Sequence, residues 1–432
     1  MNFESIFKKE NFWLWFLLIS GFLMRILYIF CFTKPDEYLW SDAGGYDGRA
    51  LQMAQGKHVL FSTYWPPFFH IFLSIIYRFL LWLGLESFRI KIDIIIFGLF
   101  YVIGFWCIYQ ISKKLFSIKT ALIILAILTF WWPFIFLNAL VMSENLFFPL
   151  FFLGFYFLIK NPDKASTGIW VGLFWGLSAI TRPIFILVIP IFLIWSLWYK
   201  INWKFLLIFT ITITIIILSI MIYNFFYTSI DTFSSGIEKS ISSNGGVGFA
   251  MLWCDAKAIQ FNKYGYQFGF GPPANIDYLE SKRIFTNIQF TNQKYYYQLG
   301  FSCIKQHPER LLTNFFSIIK IFDSRLFPGL DKIFGWEFFR LIFKFLNLTL
   351  FLVSIITFWF LTQNKIQIKM EKKKYFNLLF FIVMTLPITV YLQNVGEERY
   401  IIPYVPLLII LSIPMIKKLQ TEIIKLCKQF QL

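Results

Sequence analysis

Ten stretches of this chain run on for about 15–20 positions with hardly a charged residue: about 12–32, 93–112, 120–139, 145–159, 168–181, 184–199, 205–227, 341–361, 376–393 and 401–416. A soluble domain interrupts its apolar residues with polar ones, because one face of each helix meets water. Uninterrupted runs suit membrane-spanning helices, which need about 20 apolar residues. Strands of a membrane β-barrel alternate instead, and these segments do not. Composition agrees: 58% of the 432 residues are hydrophobic and 15% charged, against about 25% charged in soluble domains. A water-soluble globular enzyme and a disordered chain are excluded. The expected fold is an all-α polytopic membrane protein of about ten transmembrane helices.

The net charge of +17 has two readings, a nucleic-acid footprint or a positive-inside bias. The positions of the lysines decide. An eleventh apolar stretch, 66–83, begins with two prolines and contains His70 and Arg78. If it lies in the interface, Lys8, Lys9, Lys113, Lys114, Lys119, Lys160, Lys164, Lys200, Lys204, Lys365, Lys369, Lys372, Lys373, Lys374, Lys417, Lys418, Lys425 and Lys428 all fall on one side. The opposite short loops then hold only Arg182 and Arg399. If it crossed, most of those lysines would move outside. The bias favours an interfacial helix, with His70 and Arg78 at headgroup level. Both termini are then cytoplasmic, and nucleic acid is not an expected partner.

Three regions follow: 1–227, a transmembrane module with a first outer loop at 33–92; 228–340, an extracytoplasmic cap; and 341–432, the last helices and a cytoplasmic tail. The first apolar stretch is too long for a cleavable signal and reads as a retained anchor. The cap is rich in Gly, Asn, Tyr and Pro, as in Asn244-Gly245-Gly246 and Gly269 to Pro273, and is expected to be loop-rich. Cys254 and Cys303 both fall in it, so a disulfide between them is open in an oxidising compartment. The histidines His58, His70 and His307 are too scattered to suggest zinc.

Charges at membrane depth or in short outer turns cost free energy and are candidates for function. Asp42, Tyr46, Ala50 and Met53 recur at helical spacing after the first span. A short helix there would hold Asp42 at its start, either as an N-cap or as a general base at the lip of the membrane. Trp65-Pro66-Pro67-Phe68 opens the interfacial helix. Glu144 is the one charge in a very short outer turn. Gly172, Gly176, Ser178 and Ala179 permit close helix packing. Arg182, in the turn Thr181-Arg182-Pro183, is not explained by packing and suits a phosphate. Arg399 and Tyr400 sit before Pro403 and Pro406. Arg25 lies inside the first span, where snorkelling to headgroups is the plain reading. Acids and arginines thus converge on the outer face, as an anionic lipid-linked substrate would require.

The order of these motifs resembles the GT-C superfamily of integral-membrane glycosyltransferases. It is nearest in character to the branch with the protein O-mannosyltransferases and the lipid A aminoarabinose transferase. The likeness runs over 12–200 and 395–416; the cap matches no particular activity. The resemblance implies inverting transfer of a sugar from a polyprenyl-phosphate donor to a glycan, lipid or protein acceptor. It makes Asp42 the base or a core active-site carboxylate, Glu144 the second catalytic acid, and Arg399 and Tyr400 contacts to the donor phosphate or part of the active-site wall. Tyr46, His70, Arg182 and Arg25 complete the expected substrate-binding set. One departure is Trp65, where the aminoarabinose branch usually carries Lys. Asp36, Glu37 and Asp47 are reserve carboxylates without a match. No cofactor is certain; a divalent cation shared by Asp42 and Glu144 is left open.

The expected location is a bacterial inner (plasma) membrane, with the site on the periplasmic side. The competing reading is a transporter or flippase of a lipid-linked or anionic substrate. That would place ionisable residues near the bilayer middle and broken helices in paired repeats. The chain shows no internal repeat, and its charges cluster at the outer lip.

Overall fold

The computed structural model describes residues 10–39, 41–57, 65–162, 164–231, 249–250, 253–254, 293–316, 336–393 and 400–429. Among these residues the chain is helical and forms no strand. The helices are α1 (Glu10–Phe32), α2 (Ser41–Ala54), α3 (Phe68–Trp82), α4 (Arg89–Leu115), α5 (Ile118–Thr129), α6 (Trp132–Asn138), α7 (Glu144–Lys160) and α8 (Thr167–Thr181). They continue with α9 (Val188–Trp198), α10 (Trp203–Asp231), α11 (Gln293–Gln306), α12 (Arg310–Phe316), α13 (Trp336–Thr362), α14 (Met370–Gln393) and α15 (Val405–Gln429).

Every one of the ten apolar stretches is helical, yet they are not ten equal spans. Five segments are long and apolar enough to cross a membrane: Glu10–Phe32, Glu86–Leu115, Trp203–Asn224, Arg340–Thr362 and Ile402–Gln429. A sixth exists if α5 and α6 count together, although they are bent by 53°. Pro133, in the first turn of α6, has no N–H to give to the Thr129 carbonyl, so the helical ladder stops there. Helices α7, α8 and α9 have 17, 15 and 11 residues, short of the usual span of about 20.

The outward surface is that of a chain solvated by hydrocarbon. On α1, Phe12, Trp15, Phe16, Ile19, Leu23, Leu27 and Phe30 are exposed at helical spacing, while Leu14, Leu17, Leu18 and Gly21 are buried on the other face. Helix α10 repeats this with Trp203, Leu207, Ile211, Ile215, Leu218 and Ile222 outward. A helix apolar on its exposed face as well as its buried one belongs in a membrane.

The charges divide the bundle into two ends. Glu10, opening α1, accepts from Lys113 at 2.5 Å and from Tyr109 at 2.6 Å, both near the end of α4. Helices α1 and α4 are therefore antiparallel, and the chain between them, α2 and α3 included, starts and finishes at the same end. At the Glu10 end, Lys372 donates to the Leu115 carbonyl at 2.8 Å, and Trp195 donates to the Lys374 carbonyl at 2.8 Å. Lys417 lies over Phe116 and Lys418 over Phe360. The lysines assigned to one face thus gather at one end; Lys8 and Lys9 lie outside the described residues.

Helices α8 and α10 pack closely side by side, from the lysine end upward. A Cβ on Gly172 would stand 2.8 Å from Thr212 Cβ and 2.9 Å from the Phe209 carbonyl, and one on Gly168 2.6 Å from the Phe205 carbonyl. With Gly176 these make a small-residue stripe one turn apart, which lets the backbones touch. Cys254 and Cys303 are joined by a disulfide. Arg310 donates to the Trp253 carbonyl at 2.6 Å. Most of 228–340, including Asn244-Gly245-Gly246 and Gly269 to Pro273, lies outside the described residues.

Candidate functional site

At the end opposite the lysines, four segments distant in sequence bring polar side chains together. The first is α2, which starts at Ser41 with Asp42 in its first turn, as the spacing of Asp42, Tyr46 and Ala50 requires. Tyr46 and Ala50 are buried. The Tyr46 ring meets Phe69 edge-on at 4.9 Å, and the His70 ring lies 6.4 Å away. His70 is fully buried beneath α2, because α3 packs directly against α2. Arg78, on the exposed side of α3, donates to the Met53 carbonyl in the last turn of α2.

The second segment is the turn into α7. Asn145 is fully buried and fixes it. Its Nδ2 donates to the carbonyls of Leu137 at 3.1 Å and Leu140 at 2.7 Å, and its Oδ1 accepts from Tyr101 at 2.9 Å. These bonds add a second donor to carbonyls that already accept from Leu140 and Met142 N–H in the turn after α6. They hold Glu144, the first residue of α7, at 1% exposure. Glu144 is not a solvated loop charge. Its position at a helix N-terminus favours a carboxylate.

The third segment ends α8. Arg182 leaves the helix in extended backbone and ion-pairs with Glu144. Its Nη1 also lies 3.4 Å from Ser143 Oγ, and Ser143 donates to Glu144 Oε2 at 3.3 Å. The fourth segment brings Tyr400, whose ring is stacked by the Arg182 guanidinium at 4.6 Å. Arg399, Glu397 and Glu398 lie outside the described residues.

Tyr46 joins these pieces. It hydrogen-bonds Ser143 and lies in the fields of Asp42, Glu144 and Arg182. Burial, and after it the Asp42 charge, push its phenol well above the ordinary tyrosine range. Tyr46 therefore remains a neutral hydroxyl. Beside it, Arg49 stacks on Trp65 at 4.2 Å and donates to the Gly45 carbonyl at 3.1 Å.

Arg25 is placed elsewhere. It does not snorkel: it is 1% exposed, donates to the Gly21 carbonyl at 2.8 Å, and sits 3.5 Å from the Leu128 carbonyl at the α5–α6 break. Its guanidinium faces Phe105 at 4.9 Å and Tyr101 at 5.7 Å. Among the described residues it is linked to the site through Tyr101, which donates to Asn145.

Of the reserve carboxylates, Asp36 and Glu37 are exposed, Glu37 pairing with Lys34. Asp47 is buried and takes two bonds from Arg89, at 2.9 and 3.0 Å. Tyr77 bridges Asp47 at 3.0 Å and Asp93 at 2.5 Å. The sequence reading passed over Arg89, Asp93 and Tyr77. The signal was present: Asp93 opens an apolar run, and an ionisable residue there asks for a partner.

A divalent cation shared by Asp42 and Glu144 does not fit this donor set. Arg182 already neutralises Glu144, and among the described residues no three His, Cys, Asp or Glu side chains cluster as metal ligands.

Fold and site define a class: a chain helical throughout its described residues, with at least five helices suited to crossing a membrane and a buried cluster of acid, arginine and tyrosine at one end. No protein-family model matches the chain, and no curated protein matches it either.

Proposed function

We propose that the chain is an inverting glycosyltransferase that uses a polyprenyl-phosphate-linked sugar, as its resemblance to the GT-C superfamily implies. One observation supports this above the others. Asp42 with Tyr46, Glu144, Arg182 and Tyr400 come from four separate segments and meet at the end of the bundle away from the lysines. Carboxylates and an arginine gathered at one end of the bundle suit an acceptor hydroxyl and an anionic leaving group.

In this reading Asp42 takes the proton of an acceptor hydroxyl. That oxygen bonds to the anomeric carbon as the bond from carbon to phosphate oxygen breaks. The polyprenyl phosphate departs with the electron pair. Arg182 has five N–H donors, enough to keep Glu144 and hold a phosphate oxygen as well. Arg399, next to Tyr400 in the chain, is the second candidate for that charge. Tyr46 offers a neutral hydroxyl to the sugar. The lysine end faces the cytoplasm by the positive-inside bias, which puts the site on the extracytoplasmic side of a multi-pass membrane protein. The full count of crossings, ten or fewer, belongs to this proposal too.

The test is an assay of purified protein with labelled polyprenyl-phosphate sugars and extracted envelope acceptors. Transfer by the wild type and none by Asp42→Asn, at equal expression and thermal stability, is the expected result. Wild-type turnover in Asp42→Asn would sink the assignment of the base.

A further inference from the structure

A second buried polar group lies beneath α2, apart from the proposed reacting centre. Asp47 is 6% exposed, Tyr77 1% and Asp93 0%. Arg89 gives Nε–H to Asp47 Oδ1 at 2.9 Å and Nη2–H to Asp47 Oδ2 at 3.0 Å. The Tyr77 hydroxyl lies 3.0 Å from Asp47 Oδ1 and 2.5 Å from Asp93 Oδ2.

Counting protons fixes the state of this group. A phenol has one proton, and here it contacts a carboxylate oxygen on each side. If both acids were ionised, one contact would set two lone pairs against each other. A second proton is therefore needed. Asp47 already receives the charge of Arg89 through two bonds, so the ionised form is stabilised there. Asp93 receives no such bonds among the described residues: Arg89 acts on it only through space, and its Oδ1 is buried with no hydrogen-bond partner among them. Leaving an anionic oxygen bare in apolar surroundings costs far more than leaving a neutral carbonyl oxygen bare.

We infer that Asp93 is a neutral carboxylic acid at physiological pH, donating to Tyr77, which donates to Asp47, and that this relay pins α2 so that Asp42 and Tyr46 face the site. Asp93 is a positioning residue, acting through Tyr77 and Asp47. Burial and the two neighbouring acids also raise the Tyr77 phenol well above its ordinary range, so its hydroxyl keeps its proton. The charged and titratable groups around the relay are few. Glu86 acts on Arg89 from the preceding turn, and His70 and Arg78 sit on α3. Asp36 and Glu37 are exposed, Lys91 lies over Phe88, and Arg25 faces Tyr101 and Phe105 further along α4. Among the described residues none of these groups hydrogen-bonds Asp93.

Infrared difference spectroscopy of the purified protein, wild type against Asp93→Asn at neutral pH, tests the protonation directly. The wild type should show the carbonyl stretch of a protonated carboxyl, absent from Asp93→Asn. Tyr77→Phe removes the oxygen that accepts the Asp93 proton, so it should shift that band to higher frequency even if Asp93→Asn fails to fold. Folding at neutral pH then takes up one proton at Asp93. The wild-type folding constant should fall by about tenfold per pH unit as pH rises, to the extent that this group alone titrates. Asp93→Asn should lose that share of the slope while melting near the wild type, because its amide N–H can replace the acid O–H. Asp93→Leu, with no donor, should melt well below both. The inference is overturned by the lack of a carboxylic-acid band, or by an unchanged slope in Asp93→Asn. The claim about Asp42 rests on the glycosyltransferase reading. There, Tyr77→Phe should lower transfer roughly 10- to 100-fold by misplacing the base. If the wild type transfers no sugar, that reading falls, and the spectra and melting curves still decide the state of Asp93.

Discussion

Glu144 and Arg182 form a buried ion pair between the first residue of α7 and the residue that ends α8, and Arg182 covers the ring of Tyr400 at the same time. A pair out of water is a weak source of net stability, since desolvation offsets most of the attraction. Its value is geometric: it fixes three outer segments relative to one another.

Breaking the pair from one side should therefore cost more than removing it whole. Arg182→Gln leaves a carboxylate uncompensated, a loss of about 3–5 kcal/mol. Glu144→Gln strands the guanidinium less severely, because Ser143 and the Tyr400 ring remain. The double variant Glu144→Gln/Arg182→Gln should melt above Arg182→Gln. Thermal unfolding of all four proteins in one detergent closes the cycle. Additive losses would mean that the pair is not coupled.

Tyr46 gives a pH dependence with a definite sign. Its phenol is raised in the folded chain by burial and by Asp42. Such a group stabilises fully below the unfolded tyrosine value of about 10, and that contribution is lost as pH rises through the higher folded value. Unfolding temperature should therefore drop more steeply above about pH 10 in the wild type than in Tyr46→Phe. The acid side of the profile should be the same in both. Any sugar transfer should show no limb that vanishes in Tyr46→Phe, since Tyr46 does not act as the base.

Arg25 should behave unlike Arg182. It braces the α5–α6 break and stacks on two rings, with no contact to the site itself. Arg25→Met keeps the bulk without the charge and should be tolerated, because replacing a buried charge by an apolar residue of similar volume is often neutral. Arg25→Ala should lower the melting temperature through the cavity it leaves. Transfer by Arg25→Met should stay within a few-fold of the wild type; a loss as large as that in Arg182→Gln would place Arg25 among the substrate contacts instead.

The sequence carried the helices and the ends of the bundle further than it carried the site. Apolar runs and lysine placement are local or additive signals, so all ten stretches are helical and the described lysines collect together. Span lengths were less legible. The break at Pro133 and the shortness of α8 and α9 depend on which backbone bonds close, not on hydropathy. Asp42, Glu144 and Arg182 stood out because charge in an outer turn is costly wherever it occurs, whereas Tyr46 came from helical spacing after Asp42 and Tyr400 from the resemblance. Arg25 was misread as a snorkelling residue because a linear pattern does not show which face of α1 looks inward. The Asp47–Tyr77–Asp93 relay was missed for the same reason: its members are 30 and 16 residues apart, and only α3 folding back on α2 and α4 makes them neighbours.

The α8–α10 contact sets a limit on side-chain size. Gly172→Ala puts a methyl against Thr212 and the Phe209 carbonyl at distances that force a shift, with an overpacking cost of about 1–3 kcal/mol. Gly172→Leu should separate the helices, and because α8 ends in Arg182 it should also weaken the Glu144 pair. Yield of monodisperse protein in detergent should fall from glycine to alanine to leucine.

The cysteines test the orientation. Cys427 is exposed on the last turns of α15, beside Lys425 and Lys428 at the lysine end, whereas Cys254 and Cys303 are joined in the cap. If the lysine end is cytoplasmic, a membrane-impermeant maleimide should label Cys427 in inverted vesicles and not in intact spheroplasts. With Cys31 and Cys107 replaced by serine, the cap cysteines should be unreactive in spheroplasts until a reductant is added from outside, because disulfides persist in oxidising compartments and are rare in reducing ones. Labelling of Cys427 from outside would reverse the whole assignment, putting Asp42, Glu144 and Arg182 on the cytoplasmic face. There a sugar nucleotide could reach them directly, and the case for a lipid-linked donor would lose its topological support.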